Sequence, residues 1–174
     1  MKKIIIILLL SFIFSGCYLH NDNVLVEKLT GKDAEIYEFL IRRYYKSFAD
    51  RNKLHYIIDT GRVNFLTFTP PPEDGSKWEP KDPPDSFFDR ISDLKLQYKK
   101  PSDCEIKNGY VFDKKSGKIA WLNWYTIIKW IDKNTVEVEE GCWSSPLGGG
   151  ASKTIYKKVN GQWEHHKSGE SWVS

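Results

Sequence analysis

Residues 119–131, IAWLNWYTIIKWI, decide the fold. Aromatic and β-branched side chains dominate this stretch, and they fit a pleated, half-buried surface better than a helix. Apolar residues occupy both parities, so it reads as a central strand buried on both faces for part of its length. Trp124 and Trp130 share strand parity and Trp121 has the opposite one, so both faces of the sheet are expected to carry indoles.

Toward the carboxyl end the period stays at two. Asp132-Lys133-Asn134 predicts a turn, and TVEVEE (135–140) alternates with Val136 and Val138 inward. KTIYKKV (153–159) and QWEHHK (162–167) flank Asn160-Gly161, a pair suited to the positive backbone angles of a two-residue hairpin turn. Pairing about that turn sets Lys157 opposite Glu164. On the other side, EIKNGYVF (105–112) leads into a Lys-Lys-Ser-Gly turn.

The amino-terminal half has a different period. DAEIYEFLIRRYYKSFAD (33–50) places Ile36, Leu40, Tyr44 and Phe48 four apart, with Phe39 and Ile41 widening the stripe. Thr30 suits its N-cap, and Glu38 and Arg42 can pair across one turn. A second helix is predicted from Asp85 to Leu96, opened by Pro84, with Phe87, Phe88, Ile91 and Leu94 on its apolar face. Between the two, LHYIID and RVNFLTF around Thr60-Gly61 suggest a hairpin. TPPPEDGSKWEPKDPP (69–84) holds six of the eight prolines, so it reads as a long loop of polyproline character. Helices followed by strands give the α+β class, a helix on an antiparallel meander sheet. The order of elements is that of cystatin-like or nuclear-transport-factor-like folds, an analogy of order alone.

The 174 residues suffice for one domain with a core. Taking away the first 16 residues removes Lys2 and Lys3, leaving 24 basic against 23 acidic residues. That near-neutral remainder gives no electrostatic footprint for nucleic acid. The chain opens with Lys2-Lys3, an apolar run from Ile4 to Phe14, then Ser15-Gly16-Cys17. This is the pattern of a secretory signal, and it is too short for a membrane span of about 20 residues. Ordinary cleavage before Cys17 would accept Gly16 but not bulky Phe14 two positions earlier.

Phe14-Ser15-Gly16-Cys17 resembles the lipobox of bacterial lipoproteins, with Phe in place of the more usual Leu. The resemblance covers residues 1–17. It implies cleavage between Gly16 and Cys17, a diacylglyceryl thioether on Cys17, and membrane lipid as the first partner. Two acyl chains reach the threshold for stable attachment. In the family, an Asp after the Cys marks inner-membrane retention. Tyr18 stands there, which implies the periplasmic side of the outer membrane in a two-membrane cell. The expected organisation is a signal peptide (1–16), a lipidated tether (17–32) and one domain (33–174). Cys104 and Cys142 remain as an even pair in an oxidising compartment. A bridge between them would close about 40 residues and stabilise by about 4 kcal/mol, with two buried free thiols as the alternative.

The remaining motifs point away from catalysis. LGGGASKT (147–154) puts Leu147 and Ser152 where a phosphate loop needs glycines, and it opens a strand instead of a helix, so no nucleotide is expected and the segment reads as a flexible loop. His165 and His166 are strand neighbours that point to opposite faces, and no zinc spacing is present, so no metal or other cofactor is expected. Asp85, Asp89 and Asp93 form a solvated helix face, and Glu137, Glu139 and Glu140 sit on a strand and its end, where a solvent face explains them. Ser144-Ser145 do not form a nucleophile elbow. Trp121, Trp124, Trp130, Trp143, Trp163 and Trp172 all lie in the sheet half, and an exposed subset of them could stack on a glycan or meet an envelope protein. The expectation is a lipid-anchored, non-catalytic binding or assembly module of the bacterial envelope. A hydrolase of wall sugars or peptides and an immunity or inhibitor lipoprotein are the alternatives.

Overall fold

The structure is a computed structural model, and it describes Leu29 and residues 31–49, 63–72 and 77–173. The signal segment, Cys17, most of the tether, Thr30 and the first arm of the expected 54–68 hairpin lie outside these residues.

Helix α1 (Gly31–Ala49) is followed by β1 (Asn64–Thr67), α2 (Asp85–Arg90) and β2 (Tyr98–Lys99). Then come β3 (Cys104–Lys107), β4 (Tyr110–Asp113), β5 (Trp121–Asp132), β6 (Thr135–Ser145), β7 (Gly148–Val159) and β8 (Gln162–Val173). Strands β5 to β8 form an antiparallel meander within a six-stranded sheet of order β2-β1-β5-β6-β7-β8. The class is therefore α+β, with strands dominant. β1 runs parallel to both β2 and β5, so the second arm of the expected hairpin enters the sheet by a distant pairing.

The central strand behaves as its composition demands. Leu122, Asn123, Trp124 and Tyr125 are buried in succession, which requires cover on both faces. One face is covered by α1. Its Ile36, Tyr37, Leu40 and Ile41 meet Leu66, Tyr125, Val136, Val138 and Tyr156. The Tyr37 ring stacks on Phe68 at 4.0 Å, and its hydroxyl accepts a hydrogen bond from Ile127 N at 3.2 Å. Burial pushes the Tyr37 phenol up to about 12. The expected Glu38–Arg42 pair forms at 2.9 Å, and Arg42 also reaches both Asp93 carboxylate oxygens, tying α1 to the segment after α2.

Asn160 and Gly161 take φ of 51° and 82°, and the hairpin they make sets Lys157 against Glu164. Asn108-Gly109 makes a second such turn, with φ of 51° and 77°, so residues 105–112 fold back on themselves as the β3–β4 hairpin.

Three expectations are corrected. The second helix stops at Arg90, not Leu96. Ile91 has φ −117°, and the Ser92 hydroxyl donates to Asp89 O at 2.9 Å, competing with a further helical turn. Trp124 and Trp130 lie on opposite faces despite equal parity. Ile127 pairs with Val138 and Lys129 with Glu137, so Ile128 is an extra residue, a β-bulge that reverses the alternation beyond it. Gly148–Gly150 are not a loop but the first residues of β7.

Candidate functional site: a tryptophan groove opposite the helix

The face of the sheet away from α1 has its own smaller core of Phe65, Val111, Ala120 and Leu122, with Cys104 packed among them. Beside it lie four tryptophans. Trp124 sits at the centre with no exposed surface. Trp78, from the proline loop, meets it edge-on at 5.4 Å between ring centroids. Trp172 of β8 stacks against it at 6.4 Å with 27° between the planes. Trp143 of β6 closes on Trp172 at 6.3 Å and 60°.

Local chemistry fixes the two inner rings. Trp124 Nε1 donates to Glu139 Oε1 at 3.1 Å, and Trp143 Nε1 donates to Gly109 O at 2.8 Å, across to the β3–β4 turn. Gly141 lies opposite Trp124 in the ladder and leaves room for its ring. Gly150 serves a related purpose. A β-carbon on it would lie 2.9 Å from Trp172 O, so its lack of a side chain lets β8 approach closely.

Trp78, Trp143 and Trp172 line a groove of about 1260 Å³. Trp172 is 43% exposed and forms its open side. Pro71, Pro72, Pro80 and Pro101 add apolar wall. Lys77, Lys114 and Lys153 balance Glu79, Glu139 and Glu170 around the rim. Lys77 pairs with Glu79 at 3.0 Å and Lys153 with Glu170 at 3.7 Å. The result is a long apolar trough with hydrogen-bonding groups of both kinds along its edges and no net charge.

The other indoles serve the helix side. Trp130 and Trp163 lie 5.9 Å apart. Trp130 Nε1 donates to Asp33 at 2.9 Å, and Lys32 sits 3.7 Å over its ring. Trp121 is half-buried at the start of β5. So Trp124, Trp143 and Trp172, out of the six named from the sheet half, come together. Trp78 was missed, because a proline-rich loop gives no sign of which surface it will cross. Its Lys-Trp-Glu-Pro context was the one available signal, a large aromatic inside an otherwise polar loop.

Cys104 and Cys142 are free thiols, and the expected bridge is not formed. Cys104 faces the groove, whereas Cys142 is next to Gly141 on the strand and so faces the helix side. The sheet separates them. Burial pushes the Cys104 thiol up to about 11 and raises that of Cys142 too.

The acidic residues singled out from the sequence, Asp89 apart, have partners. Asp85 pairs with Lys100, Asp93 with Arg42, and Glu137 with Lys129 at 3.1 Å. Glu140, on the helix side, accepts from Tyr156 Oη at 2.9 Å and lies 3.5 Å from Arg43. Burial, then the neighbouring Glu140 charge, raises the Tyr156 phenol. The Ser144 hydroxyl donates to Gly148 O at 3.0 Å, a turn contact. His165 shares a hydrogen bond with Ser168 at 2.9 Å. Among the described residues no group of three or more His, Cys, Asp or Glu could hold a metal ion, and no helix is long and apolar enough to cross a membrane. No protein-family model, curated protein or solved structure matches the chain.

Proposed function

We propose that the chain is a lipid-anchored protein of the bacterial envelope, held by an acylated Cys17, and that its folded head is a non-catalytic module binding its ligand in the tryptophan groove. The observation that carries the binding reading is the convergence of Trp78, Trp143 and Trp172 on one open trough. Large aromatic surface left accessible beside convergent polar groups is the usual composition of a ligand site. The pairing of Glu139 with an indole and of Glu79 and Glu170 with lysines favours binding over acid–base chemistry.

The anchor reading rests on Phe14-Ser15-Gly16-Cys17 after a short apolar run. The tether of residues 17–32 would let the head stand off the bilayer. In a two-membrane cell, Tyr18 after the modified residue favours the periplasmic side of the outer membrane. The helix lying on a meander is taken as a variant of the cystatin-like or nuclear-transport-factor-like arrangement, extended by the parallel strands β1 and β2.

The test is fractionation with mass spectrometry. The native chain is expected in the membrane fraction with a diacylglyceryl group on Cys17, and Cys17→Ser is expected to lose that group and its attachment to bilayers. An unmodified amino terminus beyond Cys17 would refute the anchor.

A further inference from the structure

We propose that the tryptophan groove binds an uncharged oligosaccharide of two or more pyranose units. This rests on the binding-module reading above and assigns the ligand class.

The argument starts from what the walls can recognise. A pyranose ring offers an apolar face of C–H groups and a rim of hydroxyls that both donate and accept. The indole of Trp172, exposed on one side and backed by Trp124, is a flat surface for the first. Glu139 and Glu170 only accept hydrogen bonds and Lys153 only donates, so together they need a ligand that does both. Glu139 is held by Trp124 Nε1 through one oxygen, which fixes the carboxylate beside the trough.

Charge decides the next point. The rim carries as many lysines as glutamates, so an anionic polymer would meet repulsion as often as attraction. Size decides the number of units. The groove, at about 1260 Å³, exceeds the roughly 300–1,000 Å³ of a site for one drug-sized ligand, so a chain of sugars fits better than one.

An extended peptide is disfavoured by the location. The groove lies on a sheet face, where the backbone groups of β6 and β7 are already used in the ladder, so strand addition would be confined to the outer edge of β8, beside the trough and not within it. A proline-rich segment could lie on the indoles, but proline has no N–H to offer the groove carboxylates.

The experiment titrates the detergent-solubilised full chain with chitotetraose, cellotetraose and maltotetraose, following tryptophan emission and heat. A proline-rich decapeptide and dextran sulfate are parallel arms. At least one neutral tetrasaccharide is expected to bind saturably. Trp172→Ala is expected to weaken it by about tenfold or more, Trp172→Phe to retain most of it, and Trp163→Phe, on the helix side, to leave it unchanged. Because Trp172 is partly exposed, its loss should leave the fold intact, which far-UV circular dichroism checks. If none of the three sugars binds, or if binding ignores Trp172→Ala, the glycan assignment is overturned. Binding of only the peptide or the sulfated polymer, lost in Trp172→Ala, overturns the glycan class and leaves the binding module standing. No effect of any ligand on the tryptophans would overturn both.

Discussion

Gly141 lies directly across the β5–β6 ladder from Trp124, and a β-carbon on it would fall 2.2 Å from Trp124 Cζ2 and 2.7 Å from Gly150 O. The indole therefore rests on bare backbone, and the backbone oxygen on the other side leaves nowhere to retreat. Gly141→Ala is expected to destabilise by about 1–3 kcal/mol, the usual range for overpacking a core. It should also displace Trp124 toward the groove and change tryptophan emission. Thermal unfolding measures the first effect, and an alanine variant as stable as the native chain would mean that the ring does not sit there.

The thiols give a second test. Only the thiolate reacts with disulfide reagents, and burial raises both Cys104 and Cys142. In the folded chain near pH 8 both are expected to react slowly with Ellman's reagent. In guanidinium, two equivalents should appear without any reductant, Cys17 being acylated. Failure to find thiols after denaturation would establish a bridge and with it a different packing of the sheet.

The sequence made some of this legible and hid the rest for physical reasons. α1, the long β5, the inward Val136 and Val138 and the Asn160-Gly161 hairpin depend on local period and turn chemistry, and those are visible in one segment. Asn108-Gly109 carried the same turn signal, but the short arms around it made it easy to read through. The parallel place of β1 and the arrival of Trp78 over Trp124 depend on pairings between distant segments, which no local pattern reports. Trp130 illustrates a third case. Parity counting is sound until a bulge intervenes, and Ile128 has nothing in its type to announce one.

Asp113 is the most buried charged group in the described residues, with its side chain 2% exposed. It accepts from Ser116 Oγ at 2.6 Å and Ser116 N at 3.1 Å, and Lys99 Nζ lies 3.0 Å away. The Ser116 hydrogen bond, then Lys99, holds its carboxyl below the usual range. A depressed folded value means that the stabilisation is complete above the unfolded value of about 4 and is lost as pH falls through the folded one. Asp113→Ala is expected to lower stability at pH 7 by about 2 kcal/mol and to lose less on acidification below about pH 4 than the native chain does. Urea unfolding at pH 7 and pH 3 gives both differences, and an equal acid loss in the two proteins would remove Asp113 from the account.

The bulge itself can be removed. Deleting Ile128 restores strict alternation with Ile127 and Trp130 still on the helix side and Lys129 between them on the groove side, so the pairs Ile127–Val138, Lys129–Glu137 and Trp130–Val136 are all kept. Trp130 then keeps its hydrogen bond to Asp33, the Lys32 ammonium over its ring and its contact with Trp163. Trp130→Ala, which removes all three, is expected to cost about 2 kcal/mol, near the lower end of large-to-small substitutions. The deletion should therefore be milder than Trp130→Ala, and the side chain it removes is 42% exposed. Ile128→Ala, which keeps the residue count, is expected to be nearly neutral. Thermal unfolding compares the three, and a deletion as costly as Trp130→Ala would show that Ile128 is not a spare residue in the ladder.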